Sequence, residues 1–315
     1  MKQWFGCGML LLAAIVWGVA FVAQRVGMDY VEPFTFNMAR YYIGSAVLLP
    51  YIAGAYFLQR KKGSGDTVKE EKNGKSIRRH ILGGVGCGVL LFAASTLQQF
   101  GIKYSEIVGK AGFITALYIV MVPLFGVFIG KKTKSLIWIC VVLSVIGLYL
   151  LCMTDGFALE KGDILLLLCA VVFTFHIMLI DAVSPQTDGV VISCIQFATA
   201  GVLSTVPALL LETPQFANML SAAVPILYAG AFSCGIGYTF QILGQKHVEP
   251  TKASLILCLE SVISALAGWV LLPDQALRFR EIAGCVIMFM AIILAQFVQG
   301  KETKDTKKTE KVNKI

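Results

Sequence analysis

Lys110 to Leu117 reads KAGFITAL, and Lys252 to Leu259 reads KASLILCL. The two octapeptides lie 142 residues apart and each opens a long apolar run. Working outward from them, Glu106 falls on Glu249 and Gln98 on Gln241 at a shift of 143. Nearer the N-terminus the shift is 156, which places Trp17 on Phe173 and Arg40-Tyr41 on Gln196-Phe197. One insertion explains the change of shift: the basic stretch 59–80 has only the short connection 212–221 as its counterpart. The chain is therefore read as an internal duplication.

Composition sets the medium in which the two halves fold. Apolar residues make up 57% and charged residues 15% of the 315, and mean hydropathy is +0.75, against roughly half and a quarter in soluble domains. About 20 helical residues at 1.5 Å rise cross a ~30 Å hydrocarbon layer. Runs of that kind occur at 4–24, 35–58, 81–102, 109–130, 135–154, 163–181, 189–211, 222–244, 252–272 and 282–300. They are continuously apolar, where barrel strands would alternate over about ten residues. The expected fold is an all-α membrane protein of ten transmembrane helices.

Five helices per half is an odd number, so the second half enters the bilayer from the opposite side. The expected architecture is two inverted-topology five-helix repeats, with a ligand site near the midplane between them. Residues 4–154 form the first repeat, including the basic loop 59–80, and 163–300 form the second. Residues 301–315, KETKDTKKTEKVNKI, read as a disordered tail.

The first run, Trp4 to Ala23, is longer than the 7–15 residue core of a secretory signal, and Gln24-Arg25 follows at once. It is read as an uncleaved first helix. Orientation follows from the basic residues. A cytoplasmic N-terminus puts inside Lys2, the eight in 59–80, Lys131, Lys132, Lys134, Lys246, Lys252 and the six lysines of the tail, twenty of 27. Both termini are then expected to be cytoplasmic and the protein to be multi-pass in the cell membrane.

The net charge of +8 lies in these membrane-adjacent segments and in a tail of mixed sign without aromatics. That pattern marks topology and attraction to anionic lipid, not nucleic-acid binding. The nine cysteines all fall within predicted spans, show no CxxC pairing and are odd in number, so neither a disulfide framework nor a metal site is expected.

The first-helix AAIVWGVAFVA with Trp17-Gly18, the second-helix Arg40, the fourth-helix Lys110-Ala111 with Pro123, and the ninth-helix Lys252-Ala253-Ser254 with Glu260 resemble the drug/metabolite transporter superfamily, specifically its EamA-type ten-helix members. The resemblance covers Gly8 to about Gly300. It implies two EamA repeats and the transport of small organic metabolites or drugs, with export favoured over import. Family members commonly carry a proline after that glutamate; here the residue is Ser261, which leaves open a kink at this point of the ninth helix.

Polar groups deep in a span are costly and are candidates for substrate or coupling-ion contact. Glu260 leads them, because it lies roughly 12 Å along its helix at 1.5 Å per residue and has too short a stem to reach the interface. Burial favours the neutral acid, so such a carboxyl can take up and release a proton in each cycle or hold a cation. Its alternative is structural, bonded to Ser264 or to a neighbouring helix. Arg40, about one and a half turns into the second helix, reads as a gate or anion-binding cation or as a snorkelling side chain, and its repeat partner is the neutral Gln196. His176 reads as a proton relay or a packed imidazole. Trp17, away from the interfacial belts, reads as cavity lining. Asn37, Gln98, Gln241 and Tyr118, the repeat partner of Glu260, complete the set, with interhelical bonding as the alternative role of each.

No HExxH, GxSxG, paired-aspartate or GxxxxGK pattern is present, so neither an enzyme nor an ATP-driven pump is expected, and no cofactor. The expected partners are a small organic substrate and the bilayer, with pairing of two copies left open.

Overall fold

A computed structural model describes residues 2–61, 69–105, 108–130, 135–152, 160–272 and 279–300. The 131–134 turn and the C-terminal tail lie outside them, as do 62–68 of the basic loop. The described residues are helical almost throughout, without strands. Eight helices are long and apolar enough to cross a membrane: Lys2–Gly27, Pro33–Leu58, Ile77–Lys103, Val108–Phe128, Lys161–Gln186, Gly189–Leu211, Ala223–Gln245 and Pro250–Leu271. Two shorter apolar segments, Ser135–Gly147 and Ile282–Ala291, lie within helices Ser135–Cys152 and Phe279–Gly300. The shorter of these helices has 18 residues, about 27 Å at 1.5 Å each, so it too reaches across. In chain order these are the first to tenth spans, five in each half.

Two boundaries differ from expectation. The third helix begins at Lys69, well before its apolar part; Lys69-Glu70-Glu71-Lys72 are good helix formers, while the Asn73-Gly74 that follows is not. A short helix, Phe216–Ser221, sits in the connection before the eighth span.

Burial is reversed relative to a soluble bundle. Leu49, Phe57, Leu209, Leu210, Leu211, Phe232, Val270 and Phe289 point outward, whereas Gln24, Asn37, Arg40, Gln99, His176, Gln196, Gln241 and Glu260 are buried among the helices. Water would drive the opposite sorting; a hydrocarbon surround requires this one, since polar groups must find partners inside the protein.

The packing repeats with the sequence. The second span packs on the seventh, the fourth on the ninth and the fifth on the tenth, each pair being repeat partners. The first span packs on the eighth and ninth, and the sixth on the third and fourth. Exchanging each span for its partner maps this pattern onto itself, as a two-fold relation between halves of opposite orientation requires. The first and ninth spans touch because residue 18 is glycine: a Cβ there would lie 2.8 Å from the Glu260 carbonyl oxygen and would strike Ile263.

The fourth and ninth spans are interrupted near the middle. The fourth divides into Val108–Ala116 and Tyr118–Phe128, the ninth into Pro250–Leu257 and Leu259–Leu271. At Leu117 (φ −60°, ψ −11°) and Cys258 (φ −62°, ψ −12°) the chain tightens toward 3₁₀ geometry. The Val120 amide donates to the Leu117 carbonyl at 3.0 Å and the Ser261 amide to the Cys258 carbonyl at 3.1 Å. The ninth helix is thus broken without a proline, three residues before Ser261, whose hydroxyl also donates to the Cys258 carbonyl at 2.6 Å.

The second and seventh helix N-termini show how one repeat position can be used in two ways. Asp188 caps the seventh, accepting from the amides of Val190 at 2.8 Å and Val191 at 3.2 Å. Its repeat partner Glu32 pairs instead with Lys103. The second helix is capped from a distance by Glu212, which accepts from the Phe34 amide at 2.9 Å and the Thr35 amide at 2.7 Å.

Candidate functional site

The breaks in the fourth and ninth spans place Tyr118 and Glu260 against each other at the centre of the bundle. The Tyr118 hydroxyl donates to Glu260 Oε1 at 2.9 Å, so two residues related by the duplication bond directly across the interface between halves. Both are almost fully buried. Ser264, the alternative partner for the carboxyl, donates to the Ser261 carbonyl at 2.9 Å.

This pair forms part of a central cavity. Around it lie Trp17 and Gln24 of the first span, Arg40 of the second, Gln98 of the third, Phe173 of the sixth, and Tyr238 and Gln241 of the eighth. The cavity volume is about 30 Å³, enough for two or three waters at ~10–15 Å³ each. An organic molecule enters only when the walls move apart.

Six of the nine sequence candidates, Glu260, Tyr118, Arg40, Trp17, Gln98 and Gln241, line this cavity. Gln98 and Gln241 are repeat partners and flank it from the third and eighth spans. The other three lie elsewhere in the core. His176 Nε2 and Gln196 Oε1 are 3.2 Å apart, so Gln196 serves the imidazole and not Arg40, its partner in the repeat. The Asn37 amide donates to the Ser95 carbonyl at 3.3 Å.

One wall is aromatic. Trp17 Nε1 donates to the Ser233 carbonyl at 3.2 Å, and its ring lies 4.6 Å from that of Tyr238. Tyr238 in turn meets His176 at 6.0 Å and Phe197 at 5.9 Å, both edge to face. Trp17 reaches its acceptor because residue 237 is glycine; a Cβ there would stand 2.5 Å from Nε1. The eighth helix is π-helical over Tyr228–Tyr238, and its turn carries Ser233 and Tyr238 to the cavity.

Arg40 is 1% exposed. Its guanidinium donates to Gln24 Oε1 at 3.0 Å and to the Tyr41 hydroxyl at 3.1 Å, and lies 4.9 Å from the Tyr41 ring centroid. The lysines that open the two octapeptides take up different contacts. Lys110 pairs with buried Asp163 at 2.9 Å, while Lys252 lies 3.7 Å from Glu249.

Sequence reasoning passed over Gln24, Ser233 and Tyr238 as cavity residues. Gln24 was readable only as the polar end of the first run. Ser233 contributes a backbone carbonyl, which no side-chain pattern announces. Tyr238 had a usable signal, since it lies one turn before Gln241.

The EamA-like transporter family model matches the chain twice, over residues 4–153 and 160–297. An uncharacterized transporter of Archaeoglobus fulgidus is 26% identical over 287 residues, covering 91% of this chain and 84% of the relative. The uncharacterized transporter YoaV of Bacillus subtilis is 22% identical, with 91% and 95% covered. A protein of known crystal structure superposes with a TM-score of 0.70 at 18% identity, over 94% of this chain and 98% of the other. Two family matches, one on each half of an inverted ten-helix bundle with a polar site at its centre, make this chain a multi-pass membrane transporter belonging to the EamA-like transporter family.

Proposed function

We propose that the protein is a secondary carrier of small organic molecules in the cell membrane, working in the export direction, with both termini in the cytoplasm. The halves 4–154 and 163–300 rock against each other about the axis that passes between Tyr118 and Glu260, so that the cavity opens alternately to each side. Glu260 couples the cycle: in the closed state its carboxyl accepts from Tyr118, and separation of the halves breaks that bond and lets the carboxyl exchange its proton.

The observation that carries this reading is the Tyr118–Glu260 hydrogen bond, because it joins the two moving bodies at the one acidic side chain among the described cavity residues.

The test begins with a stabilisation screen of metabolites against the purified protein, since a ligand of the folded state raises its melting temperature by mass action. The hits are then offered to sealed vesicles containing this chain alone. Saturable uptake supports a carrier, chemical conversion of a hit would show an enzyme, and binding without either would leave a receptor. A reporter fused after Ile315 reads the tail's side and is expected to report the cytoplasm.

A further inference from the structure

Among the described residues, no carboxylate is paired with Arg40. It is 1% exposed and lines the central cavity, and arginine does not discharge by losing its proton. Both of its hydrogen bonds go to neutral oxygens, Gln24 Oε1 and the Tyr41 hydroxyl, and its Nε has no partner. Glu260, the acid that shares its cavity, is bonded to Tyr118. Taking a charge out of water without a partner is strongly unfavourable. A group held there at such cost is expected to meet its counter-ion from outside the chain.

The guanidinium is also held in a fixed pose. Tyr41 lies beneath it at 4.9 Å and Phe36 beside it at 5.9 Å, and Tyr41 is itself stacked on Phe197, 6.2 Å away with rings 10° from parallel. A snorkelling arginine would have a mobile stem and a wet head; this one is clamped, with Nε unsatisfied. A planar fork with free N–H groups matches the two oxygens of a carboxylate.

We propose that Arg40 is the anion-binding residue of the central site and that the substrate is a small organic monocarboxylate whose apolar body lies against Trp17 and Tyr238. The single negative charge follows from the lining. With the Glu260 carboxyl protonated, Arg40 is the only charge among the described cavity residues, so a dianion such as a phosphate monoester would leave one charge uncompensated. The remaining polar groups, Gln24, Gln98 and Gln241, are neutral amides able to bond a carboxylate or a further hydroxyl. The aromatic pair at 4.6 Å provides the surface for the body. This assignment deepens the carrier reading and uses the same site.

Binding is read by thermal unfolding of the purified full chain in detergent. The probes are phenylacetate, indole-3-acetate and hexanoate, each beside its amine (phenethylamine, tryptamine, hexylamine) and its alcohol, with phenyl phosphate as the dianion. At least one carboxylate is expected to stabilise wild type, with its amine, its alcohol and phenyl phosphate at least tenfold weaker. Arg40→Gln is expected to weaken the carboxylate about ten- to hundredfold, as loss of a charge-assisted bidentate pair does, and Arg40→Lys by less. Failure of every carboxylate, equal binding by an amine or by the phosphate, or unchanged affinity in Arg40→Gln would overturn the proposal. The wild-type series decides even if the variants do not fold. Carboxylate binding without uptake in vesicles would remove the carrier reading alone, and uptake of amines without carboxylate binding would remove this assignment alone.

Discussion

The fourth and ninth spans are two copies of one design that end in different chemistry. Both open on a lysine, Lys110 and Lys252, and both tighten at mid-span, at Leu117 and Cys258, with backbone angles within two degrees of each other. The first copy presents a phenol one residue past its break and the second a carboxyl two residues past its own, bonded at 2.9 Å. The second and seventh spans repeat the contrast: Arg40 lines the cavity, while Gln196 at the same repeat position bonds His176. The duplication has kept what shapes the helices and diverged in what carries charge. The cavity takes a guanidinium from the first half, Arg40, and a carboxyl from the second, Glu260, where their repeat partners Gln196 and Tyr118 are an amide and a phenol. In the carrier proposed above, movement of one half against the other changes the distance between the two groups, and a symmetric pair of halves would lack that link.

Making the fourth span copy the ninth is the most disruptive way to test this difference. Tyr118→Glu sets two carboxyls where a phenol and a carboxyl now meet at 2.9 Å, and like charges at that range cannot both ionise. Transport of a substrate found by the screen is expected to fall more than in any variant below, because one of the two carboxyls is forced to stay neutral; wild-type rates would show that the pair does not face the transport path. Next in size is the contact that brings the first span to the break. Gly18→Val drives a side chain into Ile263 and toward the Glu260 carbonyl, and overpacking of this kind costs about 1–3 kcal/mol. A melting temperature equal to wild type in detergent would mean the two spans are not so close. Comparable in size is Tyr118→Phe, which leaves the buried Glu260 carboxyl without this donor at about 1–3 kcal/mol. The smallest is Trp17→Phe, which deletes the bond to the Ser233 carbonyl at about 1 kcal/mol and leaves the ring contact with Tyr238. Its expected signature is a slight loss of stability with weaker binding of ligands bearing an apolar body.

How much of this was readable from residues alone depends on whether a feature is repeated. The spans were legible because continuous apolar runs have no other use at that length. The two halves were legible because KAGFITAL and KASLILCL kept their order around shared glutamines and lysines. The partnership of Tyr118 and Glu260 followed from register, but their direct bond did not. A two-fold relation brings equivalent residues into contact only where they lie on the axis, and register does not say which do. His176 and Gln196 pair within the second half, an arrangement without a copy in the first, where the position of His176 corresponds to Ala20. The π-helical course of Tyr228–Tyr238 was likewise hidden, since its counterpart in the third span lies in an uninterrupted α-helix. A kink in the ninth helix was left open at Ser261, because proline is the familiar cause of one; the break falls at Cys258, whose carbonyl accepts both the amide and the hydroxyl of Ser261.

The central claim is that the carboxyl at the axis couples the movement of the halves to a proton. Gradient-driven uptake and substrate counterflow, measured side by side in sealed vesicles of wild type and Glu260→Gln, test it most directly, since the amide keeps the volume and most of the hydrogen bonding but cannot titrate. The account predicts that Glu260→Gln folds, loses accumulation driven by a pH gradient and retains counterflow. Equal rates and equal dependence on the gradient in both proteins would contradict it and leave Glu260 a structural partner of Tyr118.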